Sequence, residues 1–331
     1  MLLRQLSLVI AVILSVANAS ALIERRVERR FEVPGAASLK IDTFNGSVHV
    51  SAGQDPAIEV TVIEQGDVTD EAAMDDRVKD LDLRMEQKEA AVSLVARYHR
   101  RLVWSWMDWP PLRLAYEIKV PPQCDITVVT RDGSIVLGSL RGKLDLSNDS
   151  GEIFTGEIDG GIKARSRVGD IALTACTGLV TARTRMGNIT VGRAGGRTEL
   201  SSDGGYIELQ SAAGEVVVRG SGADVKVGFA GSIVKPAKIS TSGGDISLAL
   251  ENDAACALDL RASIFGHVKV RDLALVTTGG AGRSRLAGTL NGGGPLIAAD
   301  AGGGSILVRG FAPVPESAAV SATRVGGLPA K

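Results

Sequence analysis

Apolar and polar side chains between positions 133 and 227 follow a pattern that repeats every nine residues. Each step starts with glycine and one further residue, and a short run of alternating apolar and polar residues follows. Alternation with a period of two is typical of a β-strand with one buried face. Glycine suits a sharp corner before each strand, because it reaches positive φ without a Cβ clash. The glycines at these steps are Gly133, Gly142, Gly151, Gly160, Gly169, Gly178, Gly187, Gly196, Gly205 and Gly214.

Segments two steps apart resemble each other more closely than neighbouring segments do, as residues 164–171 and 182–189 show. The structural repeat is therefore twice the glycine step, with two strands in each turn. Parallel pairing between successive turns would stack them about 4.8 Å apart. The sequence predicts an all-β fold: a parallel β-solenoid, similar to a β-helix, with about eighteen residues per turn.

The predicted register places residues from successive turns in vertical columns on the outer face. In one column Arg167 and Arg185 lie between Asp149 and Asp203, so each arginine has a carboxylate as its vertical neighbour. Opposite charges on adjacent strands favour pairing. The two neighbouring columns read Ser147, Arg165, Arg183, Ser201 and Asp145, Lys163, Thr181, Glu199.

Residues 22–120 contain little glycine and predict a more conventional β-rich region, with one short helix starting at an N-cap Thr69 and a hairpin between 81 and 98. We expect this region to cover the start of the solenoid, whose open end would otherwise present unpaired backbone. The repeat domain is predicted to span residues 121–311. Residues 312–331 have no periodicity and are predicted to be disordered.

Residues 1–21 have the features of a secretory signal peptide. Arg4 supplies the positive start, an apolar core follows, and small residues around Ala19 and Ala21 provide two cleavage sites. An uncleaved N-terminal anchor is the alternative. No second apolar stretch is long enough to span a bilayer, so no transmembrane span is expected in the mature chain.

Composition narrows the partners and the chemistry. A formal net charge of −1 argues against nucleic acid, whose binding proteins usually carry a strong basic excess. The cysteines Cys124, Cys176 and Cys256 follow no metal-binding spacing. We expect them to be buried small apolar residues, with one disulfide as the open alternative in an oxidising compartment.

The serial Gly-Asp/Glu/Asn-Ile corners, together with the closing stretch 288–296 and the glycines before Ile306, resemble a bacterial β-strand-repeat family known as a putative adhesin domain of unknown function. The resemblance covers roughly residues 38–310. It implies an exported, non-enzymatic protein with a β-solenoid-like fold. The family has no established ligand, so the resemblance assigns no functional residues.

No catalytic set, metal site or cofactor site is expected. The histidines lie far apart, and the glycine-rich turns near residues 292 and 303 lack the helix and Lys-Ser/Thr of a phosphate loop. Solenoid glycan lyases and hydrolases use carboxylate clusters, and here Glu152 and Asp170 stack with Asn188. These residues sit at corners, where Asp and Asn favour turn geometry, so a glycan-cleaving enzyme is the weakest of three functional hypotheses.

Two surfaces are candidates for binding. Arg165, Arg167, Arg183 and Arg185 form a basic patch suited to anionic polysaccharide, lipopolysaccharide or lipid headgroups. The alternative is a solvated ladder neutralised by Asp149 and Asp203.

The second surface contains all the tryptophans of the chain, Trp104, Trp106 and Trp109. An exposed pair would stack on sugar rings or enter a membrane or a partner. The alternative is that these side chains seal the junction between the N-terminal region and the solenoid.

The sequence thus favours an exported structural or adhesin-like module of the cell envelope, located in the periplasm or on the cell surface. The alternative is an envelope polysaccharide-binding protein that uses the tryptophan stretch or the basic patch of four arginines. Its partners would be envelope glycans or another envelope protein.

Overall fold

The computed structural model describes residues 21–68, 70–98, 112–278 and 282–312. The predicted signal peptide, apart from Ala21, lies outside the described residues. So do the tryptophan stretch and the predicted tail beyond residue 312.

The N-terminal part contains seven strands and a short helix that begins at an N-cap. The N-cap is Asp70, one residue after the predicted Thr69, and its side chain accepts a hydrogen bond from the Ala73 amide at 2.8 Å. Met74 is the buried residue of the helix. The elements are β1 (Ala21–Glu32), β2 (Ala37–Thr43), β3 (Ser47–Ala52), β4 (Ala57–Val68), α1 (Glu71–Val78), β5 (Leu81–Lys88), β6 (Ala91–Tyr98) and β7 (Arg113–Val120).

The central part consists of strands joined by tight corners, two strands to each turn of the coil. They are β8 (Cys124–Asp132), β9 (Ile135–Leu137), β10 (Leu140–Arg141), β11 (Leu144–Ser150), β12 (Ile153–Asp159), β13 (Ile162–Val168), β14 (Ile171–Cys176), β15 (Val180–Met186), β16 (Ile189–Ala194), β17 (Thr198–Ser202), β18 (Tyr206–Ala212), β19 (Val216–Gly220), β20 (Asp224–Phe229), β21 (Ala237–Thr241) and β22 (Ile246–Glu251).

The C-terminal part adds six strands. They are β23 (Cys256–Ala262), β24 (Val268–Arg271), β25 (Leu275–Thr277), β26 (Arg285–Leu290), β27 (Leu296–Ala301) and β28 (Ile306–Phe311).

These strands form two long sheets, each of fourteen strands in the described residues. Sheet 1 runs β1-β4-β7-β3-β9-β12-β14-β16-β18-β20-β22-β28-β24, with β10 paired to β12. Sheet 2 runs β25-β26-β23-β27-β21-β19-β17-β15-β13-β11-β8-β2-β6-β5. Every central turn contributes to both sheets, so the turns are the rungs of a stack.

The pairing register confirms the predicted repeat. In sheet 1 Ile153 pairs with Ile171 and Ile171 with Ile189, and in sheet 2 Ile162 pairs with Val180, all in parallel. Each pair is eighteen residues apart. The predicted all-β parallel solenoid, with a β-rich N-terminal cap, is therefore the fold of the chain.

The core lies between the two sheets and is built from columns of stacked apolar side chains. Ile153, Ile171 and Ile189 are fully buried in one such column. Each fully buried side chain of this size contributes about 1.5–3 kcal/mol relative to an exposed one. Stacking of identical positions is thus the main source of stability in the rungs.

Each corner brings the backbones of successive rungs into close contact. Gly169 has a φ of 144°, and a Cβ at this position would overlap the carbonyl oxygen of Gly151 on the rung before it. The Thr184 hydroxyl, inside the coil, donates to the carbonyl oxygen of Gly169 at 3.1 Å. Glycine is required here by close approach as well as by backbone conformation.

Strands at both ends of the stack do not follow chain order. At the N-terminal end, β2 lies between β6 and β8, and β3 between β7 and β9. At the C-terminal end, β27 lies between β21 and β23, and β28 between β22 and β24. At each end, one rung is inserted between two rungs that follow each other in sequence.

Antiparallel strands lie at three of the four sheet ends, and at the fourth, the C-terminal end of sheet 1, β24 pairs in parallel with β28. β4 pairs with β7 and β1 with β4, the predicted hairpin β5–β6 caps sheet 2, and β26 with β25 covers β23. The division of the chain at residue 120 stays a prediction. Strands from both sides of it pair directly, as β2 does with β8.

Candidate binding surfaces

The arginine residues named from the sequence lie on neighbouring strands of sheet 2. Arg165 on β13 pairs in register with Arg183 on β15. Arg167 and Arg185 lie between two further register pairs, so they also belong to successive rungs. Three of the four side chains are exposed and Arg165 is half-buried. All four face outward, and we call them the arginine ladder.

The carboxylates that contact the ladder differ from the predicted ones. Arg165 pairs with Asp145 at 3.1 Å, and Arg183 lies 3.9 Å from Glu199. Both partners stand diagonally, one rung away and two residues along the strand, in a column that already contains Lys163. Diagonal neighbours are within reach of a side chain as long as arginine. Exposed pairs of this kind contribute about 0–1 kcal/mol.

Asp149 and Asp203, the acids proposed to neutralise the ladder, form no ion pair with it among the described residues. Among the described residues, neither Arg167 nor Arg185 has a carboxylate oxygen within 4 Å. The ladder of strand pairs skips position 167, and Arg167 and Val168 are both exposed. The strict alternation of buried and exposed residues ends here on both strands, although the eighteen-residue register continues through Val168 and Met186.

Apolar side chains flank the unpaired arginines. Val168 is 45% exposed and Met186 65% exposed, each next to an arginine on its own strand. This edge of sheet 2 therefore presents two free guanidinium groups beside apolar surface.

The corner carboxylates form hydrogen bonds within the fold. Asp170 accepts two bonds from Asn188, from the amide N–H to Oδ1 at 2.7 Å and from Nδ2 to Oδ2 at 3.1 Å. Asn188 Oδ1 in turn accepts from the Tyr206 amide at 3.0 Å. Asp170 and Asn188 thus each cap the backbone of the next rung. We call this column the corner ladder, and it explains the recurring Gly-Asp/Asn-Ile triplet.

A groove that the sequence did not predict lies at the corner where the strands of sheet 1 end, across the coil from the corner ladder, which precedes these strands. Its cavity volume is about 680 Å³, and it extends along the stack from Pro122 to Gly195. We call it the corner groove. It spans the four rungs that carry residues 141, 159, 177 and 195, or about 14 Å at the usual strand spacing.

One wall of the corner groove is a column of bonded polar side chains. Arg141 Nε donates to Asp159 Oδ2 at 2.8 Å, and the Thr177 hydroxyl donates to Oδ1 of the same carboxylate at 2.9 Å. The Arg141 and Thr177 hydrogen bonds hold the pKa of Asp159 below its usual value. Asp159 therefore remains ionised at neutral pH.

The other wall contains an ion pair that crosses a whole rung. Arg193 Nη2 donates to Glu157 Oε1 at 2.9 Å, although the two residues are two rungs apart. Ala175 occupies the same column on the rung between them. Its small side chain leaves room for Arg193 to reach across.

The floor of the groove is apolar, with Leu140, Ile158 and Cys176 buried below it. Burial raises the pKa of Cys176, and its thiol lies 3.0 Å from the Gly160 carbonyl oxygen. Cys124 and Cys256 are also buried, and all three cysteines are free, as the burial prediction had it.

This arrangement suits binding better than acid–base chemistry. Asp159 is bonded to Arg141 and Thr177, which hold its pKa low, whereas a general acid at neutral pH needs a raised one. Within the described ranges, no group of three His, Cys, Asp or Glu residues could hold a metal ion. The same part of the chain contains no helix long and apolar enough to cross a bilayer.

The spacing of buried residues in the sequence indicates the groove, but an analysis based on strict alternation misses it. In β12, β14 and β16 the buried positions are spaced by two and then by three, as in Ile153, Thr155 and Ile158. Two consecutive residues then face outward, here Gly156 and Glu157. This spacing marks the bend that opens the groove.

The tryptophan surface, Trp104, Trp106 and Trp109, lies outside the described residues. Its role stays a prediction.

Similarity to known proteins is found among solved structures and not among family models or curated sequences. No family model and no curated protein matches the chain. The solved structures similar to it include a "putative adhesin" from Bacteroides fragilis NCTC 9343, with 11% identity, covering 87% of this chain and 97% of that one, at a TM-score of 0.39. A "putative adhesin" from Parabacteroides distasonis ATCC 8503 has 10% identity, the same coverages and a TM-score of 0.39.

A third structure, a "putative cell adhesion protein" from Clostridium sporogenes ATCC 15579, has 11% identity, covers 87% of this chain and all of that one, and has a TM-score of 0.22. Likeness at this level carries no conclusion about function. The β-strand-repeat family suggested by the sequence stays a prediction.

Proposed function

We propose that this chain is an exported, non-enzymatic, adhesin-like structural protein of the bacterial cell envelope. The observation that carries the proposal is the stack itself: two long sheets, with antiparallel strands at three of their four ends in the described residues, form one extended body. Antiparallel end strands interrupt the parallel pairing of the stack and so limit its growth by strand addition. Such a body presents flat, repetitive outer faces to a partner.

A structural role for the carboxylates supports the non-enzymatic part of the proposal. Asp170 is engaged in the corner ladder, and Glu157 and Asp159 in ion pairs. Measurable cleavage of envelope glycans by the purified protein would contradict this part and favour the glycan-enzyme hypothesis.

Export is supported by the leader-like residues 1–21. The test is fractionation of a tagged protein, with and without these residues, into cytoplasm, periplasm and outer envelope. We expect the full chain in the periplasm or at the cell surface and the truncated chain in the cytoplasm. Cytoplasmic retention of the full chain would overturn the proposal.

A second candidate function is the binding of acidic envelope polysaccharide by the arginine ladder. It is favoured by the two guanidinium groups of Arg167 and Arg185, which have no carboxylate within 4 Å among the described residues. Free cations on adjacent rungs suit a polyanion with regularly spaced charges.

A retention assay on immobilised polygalacturonate separates this function from a merely solvated surface. Arg167→Ala/Arg185→Ala should lose retention, while Arg165→Ala/Arg183→Ala, which removes arginines that already have acid partners, should lose less. Added salt should weaken the wild type, because the interaction is between exposed charges. Equal retention of both double variants would remove the arginine version of this function.

The tryptophan version needs its own variant. A glycan pull-down should compare wild type with Trp104→Ala/Trp106→Ala, and unchanged retention would remove these side chains from the binding surface. Another envelope protein as the partner would appear instead as capture without glycan.

A further inference from the structure

The side chains that line the corner groove have hydrogen-bond donors and acceptors beyond those used in their bonds to each other. Arg141 engages Asp159 through Nε, and Arg193 engages Glu157 through Nη2 and Oε1. Within the described part of the chain, no acceptor is bonded to the terminal nitrogens of Arg141, and no donor to Glu157 Oε2. The walls therefore offer both donors and acceptors in planar groups.

The charges of the groove cancel. Arg141 and Arg193 are matched by Glu157 and Asp159, in two ion pairs on opposite walls. An anionic ligand would gain no net attraction here, in contrast to the arginine ladder. A neutral ligand rich in hydroxyl groups would use the donors and the acceptors together.

An exposed aromatic ring lies beside the groove on the same strand. Phe154 faces outward from sheet 1, is 45% exposed, and has the small Ala172 as its register partner on the next rung. Gly156 is the only outward position between Phe154 and Glu157, and a Cβ there would overlap Ser139, which lines the groove on the rung before it. Three residues of strand span about 10 Å, so the ring lies about that far from the Glu157 wall of the groove.

We propose that Phe154 and the corner groove together form a binding site for a neutral oligosaccharide. The ring packs against the apolar face of one sugar, and the hydroxyl groups of the following sugars bond to the arginine–carboxylate pairs. A cavity of about 680 Å³ is within the range of small-ligand sites. The site is separate from the arginine ladder and does not depend on it.

The test is calorimetric titration of the full chain with three neutral trisaccharides: cellotriose, maltotriose and mannotriose. At least one should bind the wild type. Phe154→Ala removes the ring, and Ala175→Leu fills the space between Glu157 and Arg193. Each should weaken binding at least tenfold, which corresponds to about 1.4 kcal/mol.

Two variants serve as controls. Thr190→Ala lies in the same outward column as Phe154 but does not line the groove, and Arg167→Ala/Arg185→Ala alters the ladder alone. Both should bind within twofold of wild type, and unchanged thermal unfolding of all variants would show that the fold persists. Chemical-shift changes confined to groove residues provide a second measurement if a variant fails to fold.

Three outcomes would overturn the proposal: no binding of any neutral trisaccharide, unchanged binding after both site substitutions, or loss of binding in the ladder variant. The first two leave the acidic-polysaccharide function and the export assay unaffected, so failure of this site is distinguishable from failure of the proposed function.

Discussion

The corner ladder allows a sharp test of whether the stacked acids are structural, because two of them occupy the same column with different bonding. Asp170 accepts two hydrogen bonds from Asn188 on the next rung, at 2.7 and 3.1 Å. Glu152 stands one rung earlier, and no hydrogen bond to its carboxylate is present among the described residues. Asp170→Ala removes both acceptors, whereas Glu152→Ala removes none.

The expected magnitude follows from the groups left behind. Without Asp170, the half-buried Asn188 amide loses its acceptor, and the Asn188 side chain loses the contact that orients it toward Tyr206. Loss of a hydrogen bond to a charged acceptor costs about 1.5–3 kcal/mol. We expect Asp170→Ala to lower the free energy of unfolding by that amount, and Glu152→Ala to change it by less than about 0.5 kcal/mol. Asp170→Asn, which keeps an acceptor oxygen, should fall between them.

The assay is equilibrium urea unfolding followed by far-ultraviolet circular dichroism and by a second probe. Coincident transitions are needed because a stack of repeats can unfold in parts. An unchanged m value would show that the substitution acts on stability rather than on compactness. The reasoning is refuted if Asp170→Ala and Glu152→Ala have equal stability.

Further predictions follow from buried groups and from corner glycines. Burial raises the pKa of Glu64, because the ionised carboxylate is destabilised in the folded state. Glu64→Gln should therefore raise the free energy of unfolding at pH 7, and this gain should disappear as the pH falls below about 4. Urea unfolding at several pH values would measure it. Burial also raises the pKa of Cys124 to about 12 and of Cys256 to about 11. Iodoacetamide at about pH 8 should label neither thiol until denaturant is added, as mass spectrometry would show, and rapid native labelling would contradict the burial. Gly169→Ala should lower Tm more than Gly35→Ala, because Gly35 also has a positive φ but has open space around it. Equal losses in Tm would show that the close approach between rungs is unimportant.

The sequence predicted the rungs well because every rung obeys the same local physics. Each rung needs a glycine that permits the corner and an apolar residue that stacks, and some add a polar residue that caps the next corner, as at Gly169, Ile171 and Asp170. A pattern repeated with fixed spacing specifies its own pairing register.

The ends and the binding surfaces were harder to predict because they depend on contacts that no local pattern encodes. The strand around Ile41 looks like a rung, but nothing in its sequence places it between β6 and β8. The pairing of Arg165 with Asp145 is diagonal, and that of Arg193 with Glu157 skips a rung. The vertical columns inferred from the repeat do not show which acid each arginine contacts. That depends on side-chain length and on whether a small residue lies between the partners.

The inserted rung at the C-terminal end has a consequence for the timing of folding. Residues 296–311 are the last described strands to be synthesised, yet they lie inside the stack, between β21–β22 and β23–β24. The chain cannot be completed by winding one coil after another as it emerges. β23 can pair with β26 beforehand, but its second partner β27 and the partner of β24, β28, are present only once residues 296–311 have been made, so the rung of β23 and β24 joins the stack last.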